Sequence, residues 1–478
     1  MKLTLNDIQD AMGAIGFLGD AGETVPTGVQ TDSRMLQKGE LFFCISGERF
    51  DGHTFARAAV ERGACGVVAE RPPFSADEMC GMECDEGGVP LLMVRDSVQA
   101  LGRLAAYHRQ KAKAAVVGVT GTAGKTTVKE MLAQVLSVRG ETARNHLNLN
   151  NQIGLPVSML AATGEERFWV MEAGISEPRD MDELASVLRP DLGIVLNVGA
   201  GHTQGLGDKG VAHYKAKLLS YIAPGGVGLV SADYPDLVRE ARSNCAELRF
   251  FSIRDASCMY RAEYAGPQSA TQGRYRVWLD KKEFELVAPF RGAFAAENVI
   301  AVAAAADILG LSTQEIITGF AQARLPEKRF CCQQRDRWLV IDDSYNANPL
   351  SALRMLETAH EMAAGQPLML VMGEMLELGD EAEKAHRDLG IVMARTAPAA
   401  VYWKGGHADE VRAGLTEGGW QGELQLVHTP EEFINRFMES TLRAGLVLFK
   451  GSRGNRLERL VEAFCAGPCS AKEEPDAL

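Results

Sequence analysis

Short apolar runs recur along the chain, and the pattern around them changes twice. The first 111 residues hold three such runs, at 41–45, 66–69 and 91–94, separated by patches with helical spacing. This predicts a mixed region of short strands and helices. From residue 114 the runs at 114–119, 168–171 and 192–198 alternate with helical stretches. That alternation predicts βαβ units and a mostly parallel sheet. An alanine-rich helix is predicted over 297–309. After Arg324-Leu325-Pro326 come five more runs, at 338–341, 368–372, 399–403, 424–427 and 446–449. Helical segments separate most of them, which predicts a second parallel α/β sheet.

Length supports this division. One hydrophobic core rarely grows to 478 residues, so two or three domains are expected. The stretch 77–88, acidic and rich in glycine, reads as a surface loop, and the polar end of the chain reads as disordered. A net charge of −13 argues against bulk nucleic-acid binding, which needs a basic surface. It leaves room for an anionic ligand held by backbone N–H groups. No run approaches the ~20 apolar residues of a membrane span. Asp7 and Asp10 stand where a secretory leader would be apolar, so a cytoplasmic protein is expected. The ten cysteines read as reduced thiols, and Cys80/Cys84 and Cys465/Cys469 lack matching partners for zinc.

The strongest chemical signal follows the run at 114–119. Gly121-Thr122-Ala123-Gly124-Lys125-Thr126-Thr127 leads into a helix whose Val128, Met131, Leu132, Val135 and Leu136 fall at i, i+3, i+4, i+7 and i+8. Strand, glycine loop and helix together form a phosphate-binding context. Loop amides and the helix N-terminus converge on phosphate oxygens. Lys125 can reach the β- and γ-phosphates, and the Thr126 hydroxyl can ligate Mg²⁺. Val119 stands where the general pattern wants glycine, and no Asn-Lys-x-Asp stretch supports guanine.

Other polar groups gather at predicted strand ends, where open α/β sheets bind ligands. Glu172 ends one run and suits an oxygen-loving cation, or a helix N-terminus. His202 sits in Gly199-Ala200-Gly201-His202 after another. Lys215 and Lys217 interrupt an apolar helix, where the plain reading is a solvated face. Asp342 and Asp343 adjoin at the end of a third run, a costly arrangement unless paired or functional. Lys450-Gly451-Ser452-Arg453 follows a fourth, and suits a phosphate or carboxylate.

Together these residues resemble the Mur ligases, ATP-dependent enzymes that build the peptide of peptidoglycan. The likeness covers nearly the whole chain. Thr31-Asp32-Ser33-Arg34, Gly39-Glu40-Leu41-Phe42-Phe43, Gly47 and Phe50-Asp51-Gly52-His53 match a block that implies a UDP-sugar-binding domain, with Ser33 and Arg34 at the substrate. The loop at 121–127 has that family's own form, which accounts for Val119. Asn148-Leu149-Asn150-Asn151, with Ile153-Gly154 and Pro156, and Tyr345-Asn346-Ala347-Asn348-Pro349 match the branch that adds D-alanyl-D-alanine. They argue against the branch that adds diaminopimelate or lysine, and against folylpolyglutamate synthases.

The resemblance implies an α/β fold of three domains: a mixed α/β UDP-binding domain at 1–111, a central parallel-sheet P-loop ATPase domain at 112–325, and a C-terminal Rossmann-like domain at 326–466. The disordered tail would be 467–478. It implies ATP and Mg²⁺, the substrates UDP-N-acetylmuramoyl-tripeptide and D-alanyl-D-alanine, and a monomer. ATP would meet Gly121, Thr122, Ala123, Gly124, Lys125, Thr126, Thr127, Asn298, Arg329 and Asp343. Mg²⁺ would be held by Thr126, Glu172 and His202. Asn150, Asn151, Asn346 and Asn348 would serve the substrates. Lys125, His202 and Lys215 would be catalytic, Lys215 as the lysine that the family carbamylates, with Lys217 the competing position. The sequence departs from the family at Phe294 and Ala295, where a His-Asn pair near the adenine is usual, and at Glu374, where Asp is usual.

Overall fold

The computed structural model describes residues 2–18, 23–47, 50–74, 89–199, 209–245 and 247–467. His202, the expected loop at 77–88, Cys80, Cys84, Cys469 and nearly all of the tail lie outside the described residues. The strands form three sheets.

The first sheet contains β1 (Gly16–Leu18), β2 (Val29–Gln30), β3 (Leu41–Phe43), β4 (Gly66–Ala69) and β5 (Leu91–Met93) in the order β1-β5-β4-β3-β2. Its strands are parallel except β1, which runs against β5. The helix Ser97–Lys111 leads out of it, capped by Asp96, whose carboxylate accepts from the Gln99 N–H.

The second sheet has nine strands in the order β14-β13-β12-β11-β10-β9-β6-β8-β7. They are β6 (Ala115–Thr120), β7 (Thr142–Arg144), β8 (Phe168–Glu172), β9 (Leu192–Val195), β10 (Val227–Ser231), β11 (Leu248–Ser252), β12 (Tyr260–Pro267), β13 (Gly273–Leu279) and β14 (Lys282–Ala288). β6 to β12 pair in parallel, as the alternating pattern predicts. The last three strands form an antiparallel meander that the apolar runs did not announce. The reason is its one-sided burial. Along β13 every second residue faces water, so no continuous apolar run exists. A two-residue turn closes β13 onto β14, with Asp280 left-handed at φ 55°.

The helix Lys125–Leu136 packs against Ala295–Ile308 on one face of this sheet. Its Val128, Met131, Leu132, Val135 and Leu136 are fully buried. At about 1.5–3 kcal/mol per buried side chain, that stripe contributes on the order of 10 kcal/mol against an exposed helix. Ala295–Ile308 is buried on almost every side, because its alanines let helix and strands approach closely.

The third sheet contains β15 (Cys331–Arg335), β16 (Trp338–Asp343), β17 (Leu368–Gly373), β18 (Ala400–Lys404), β19 (Leu424–Leu426) and β20 (Gly445–Lys450), in the order β15-β16-β20-β17-β18-β19. Five strands are parallel, and helices cover both faces. β15 is an antiparallel edge strand whose polar residues hid it from the hydrophobic pattern. Among the described residues no helix is long and apolar enough to cross a membrane.

Candidate active site

The C-terminal ends of β6, β8 and β16 open into one cavity of about 800 Å³, walled by both the second and the third sheet units. Its floor is the loop after β6. Gly124 caps the helix Lys125–Leu136 with φ 83°, and a side chain there would place its Cβ 2.5 Å from Asn298 Oδ1. Both conditions favour glycine. Behind the loop, buried Asn197 accepts from the Ala123 N–H at 2.8 Å and donates to the Ala123 carbonyl at 3.1 Å. Lys125 Nζ donates to the carbonyls of Gly121 (2.9 Å) and Thr122 (3.5 Å). Burial lowers the pKa of its ammonium, Glu172 opposes that shift, and Arg329 adds to it.

Glu172 is the anionic centre of the site. It is 2% exposed, at the end of β8. Thr126 Oγ1 donates to one carboxylate oxygen at 2.8 Å, and Asn150 Nδ2 to the other at 2.7 Å. Its backbone is bracketed by Asn145, which accepts from the Glu172 N–H at 2.9 Å and donates to its carbonyl at 3.1 Å. Asn151 accepts from the Gly154 N–H at 2.8 Å, where the next helix begins.

Lys215 and Lys217 occupy different settings. Lys215 is 1% exposed, and burial, reinforced by nearby Lys125, pushes its amine well below the usual lysine value. Among the described residues no ion pair holds it. Lys217 instead pairs with Asp182 at the surface. Lys215 is therefore not on a solvated face, and Lys217 is half-buried and paired.

The opposite wall belongs to the third sheet. The adjoining carboxylates of β16 are both satisfied. Asp343 takes Lys450 Nζ at 2.6 Å and the Phe330 N–H at 3.1 Å, while Asp342 accepts from the Ser344 N–H at 3.0 Å. Lys450 also donates to the Asn346 carbonyl at 3.1 Å. The guanidinium groups of Arg329 and Arg453 lie 4.2 and 5.4 Å from the ring centre of Tyr345. Asn348 caps the helix Pro349–Ala363, accepting from the Ser351 N–H, and its amide donates to the Thr122 carbonyl at 3.2 Å.

The cavity thus gathers Thr122 to Thr127, Glu172, Asn150, Asn151, Asn298, Arg329, Asp343, Asn346 and Asn348 from distant parts of the chain. Ser33 and Arg34 are not among its walls. Ser33 is buried in the first sheet unit, and Arg34 is exposed and paired with Asp32 at 2.7 Å. Sequence reading missed Lys129, Asn145, Asn197 and Arg354. Only Lys129 left a signal, a lysine at a position between Val128 and Met131 on a buried face.

Models of the Mur ligase family match three parts of the chain: the catalytic domain at 26–109, the middle domain at 119–306 and the glutamate ligase domain at 328–453. A UDP-N-acetylmuramoyl-tripeptide--D-alanyl-D-alanine ligase of Escherichia coli K12 is 31% identical, over 97% of this chain and 98% of its own. The chain belongs to the Mur ligase family. The ligase of the same name from Bacillus subtilis 168 is 29% identical, over 94% of this chain and 95% of its own. A crystal structure of MurF from Acinetobacter baumannii superposes with a TM-score of 0.82 at 28% identity, covering 97% of this chain and 99% of that one. In this chain the loop at 122–127 faces the cleft between the second and third sheets.

Proposed function

We propose that this Mur ligase uses ATP to join D-alanyl-D-alanine to UDP-N-acetylmuramoyl-tripeptide in peptidoglycan precursor synthesis. The observation that carries the reading is a single cavity in which the phosphate loop and Glu172 face Arg329, Asn346 and Arg453. Near full-length similarity to ligases of that name supports the same substrates. The division at 1–111, 112–325 and 326–466 is proposed on the same ground.

In the reaction the terminal carboxylate of the tripeptide attacks the γ-phosphorus of ATP. The bond to the β-phosphate oxygen breaks, ADP leaves, and an acyl phosphate forms. The dipeptide amine then attacks the acyl carbon, loses its proton, and expels inorganic phosphate to leave an amide. Lys125 and the loop amides offset charge on the transferring phosphoryl group. Arg329 faces the same group from the third sheet. Arg453, on the same tyrosine and farther from that ring, suits the carboxylate of the incoming dipeptide.

Glu172 and Thr126 fit a magnesium ion. A buried carboxylate and a hydroxyl 2.8 Å apart, beside the phosphate loop, are hard oxygen donors. Bound there, Mg²⁺ would neutralise phosphate charge. His202 is proposed as a further ligand. Lys215 is proposed as the carbamylated lysine, because its amine is buried with no ion pair among the described residues, whereas Lys217 is already paired.

The test is phosphate release by the purified protein. Release is expected only with ATP, tripeptide substrate and D-alanyl-D-alanine together. Brisk ATP hydrolysis that ignores both other substrates would sink the reading.

A further inference from the structure

The helix Pro349–Ala363 of the third sheet unit touches the phosphate loop of the second in two ways. At its start, Asn348 Nδ2 donates directly to the Thr122 carbonyl at 3.2 Å. Two turns along, Arg354 reaches the same loop through intermediaries. Its guanidinium donates to Glu297 Oε2 at 2.7 Å and to the Tyr234 hydroxyl at 2.6 Å. Glu297 is 1% exposed, and the same Oε2 accepts from Asn197 Nδ2 at 2.7 Å. Asn197 in turn grips both polar groups of the Ala123 peptide, and its carbonyl accepts from the Thr122 N–H at 3.0 Å. The chain Arg354–Glu297–Asn197–Ala123 is therefore continuous, and its two middle members are buried.

The electrostatics make it directional. Glu297 lies on the helix Ala295–Ile308 inside the second unit. The cation that pairs with it comes from the third unit. A buried carboxylate without a partner is strongly disfavoured, so seating of Arg354 and a stable Glu297–Asn197 contact favour one another. Gly199 adds a steric element. A Cβ there would lie 3.3 Å from Leu350, on the same third-unit helix. The N–H of Gly199 donates to Thr122 Oγ1 at 3.2 Å.

We infer that Arg354 is a positioning residue for ATP, which shapes the phosphate loop through Glu297 and Asn197 when the third unit is seated. The inference rests on the reading of this chain as an ATP-dependent ligase. It predicts linkage between unit docking and nucleotide affinity, because two arrangements that stabilise each other must be coupled reciprocally.

The decisive variants are Arg354→Met and Glu297→Gln. Arg354 also lines the cavity, so its loss alone could act by direct contact. Glu297 does not line it, so an effect of Glu297→Gln on nucleotide cannot come from direct contact. Glu297→Gln keeps a hydrogen-bond acceptor for both Asn197 and Arg354, and removes only the charge that faces the guanidinium. Nucleotide affinity is read by equilibrium binding of a fluorescent ATP analogue to the full chain, without peptide substrates. Kinetics of the complete reaction are read separately. That separation distinguishes failure of the ligase reading from failure of this inference.

The expected result for Arg354→Met is a rise of about tenfold in Kd and in KM for ATP, the loss of one charge-assisted contact. KM for the dipeptide should change less than about twofold, because that substrate does not depend on the loop. Glu297→Gln should weaken ATP in the same direction, and the double variant should be no worse than Arg354→Met, since both remove one interaction. Arg354→Lys should restore part of the affinity. Two outcomes overturn the inference. One is a lowered Tm for both single variants with unchanged affinity for ATP, which makes the pair structural only. The other is full additivity of the two substitutions.

Discussion

Replacing Lys129 by Met tests how the helix behind the phosphate loop holds the substrate-facing loop. Lys129 is fully buried, yet its side chain ends in a polar amine. Nζ donates to the Asn145 carbonyl at 2.5 Å and to the Leu147 carbonyl at 3.3 Å, and pairs with Glu130 at 2.9 Å. Methionine fills similar volume but makes none of these contacts. Each lost hydrogen bond to a charged group costs about 1.5–3 kcal/mol. Against this, the variant no longer desolvates an ammonium, a relief worth several kcal/mol in the limit. Glu130 keeps Arg144 at 2.6 Å, so no unpaired carboxylate is left behind. The balance is a net loss of about 2–3 kcal/mol, or roughly 5–10 °C in the transition of the central unit. Function should suffer too. Asn145 brackets the backbone of Glu172, and the loop beyond it delivers Asn150 to the Glu172 carboxylate. A tenfold fall in kcat, at about 1.4 kcal/mol, is expected from a small displacement of that carboxylate. Thermal unfolding followed by circular dichroism and steady-state phosphate release are the assays. An unchanged or raised Tm, with normal kcat, would refute the reasoning, because it would mean that the buried ammonium stabilises neither the loop nor the fold.

Other expectations follow from the same structure. Lys215→Ala should lower turnover by about 100-fold or more, with partial rescue by short carboxylic acids, whereas Lys217→Ala removes a surface pair and should stay within about twofold. Normal turnover in Lys215→Ala would reject the carbamylation proposal. Gly124→Ala must adopt φ near +83° and press on Asn298, so it should weaken ATP binding about tenfold and cost about 1–2 kcal/mol of stability, read by calorimetry. Stability should also fall in acid. Burial lowers the pKa of the His386 imidazole, whose Nε2 accepts from the Met375 N–H at 3.0 Å. As pH drops below 6.5 the unfolded chain therefore takes up a proton that the folded chain resists, and stability declines. Although burial works to raise the Glu166 carboxyl, donors from Thr163 and Trp169 hold it at about 2. Its contribution is complete above pH 4.5 and is lost as pH falls from there towards 2. Urea midpoints measured from pH 8 to pH 3 check both, and Glu166→Gln should flatten the lower part of that curve.

Much of the architecture was legible without coordinates, because parallel strands buried on both faces must be written as apolar runs. The runs at 66–69, 168–171 and 368–372 each became a strand. The phosphate loop was legible for a similar local reason, since strand, Gly124, Lys125 and helix are contiguous. The meander β12 to β14 was not, because half of each strand faces water. β15 was not, because an edge strand of Cys, Gln and Arg has no apolar signature.

The site divides along the same line. The sequence by itself determined which residue types could do the chemistry: Lys125 and Thr126 in the loop, Glu172 at a strand end, the asparagines at 148–151 and 346–348. Only the tertiary structure decided which of Lys215 and Lys217 is buried, because that depends on what packs over one turn of helix. Only it showed that Asp343 is paired with Lys450, 107 residues away in the chain. It alone joined Arg354 to Glu297 and Asn197, three residues with no shared motif and no local spacing. Local chemistry is written in contiguous residues and can be read there. Pairing between buried charges is a property of which surfaces meet, and the chain states that only once it has folded.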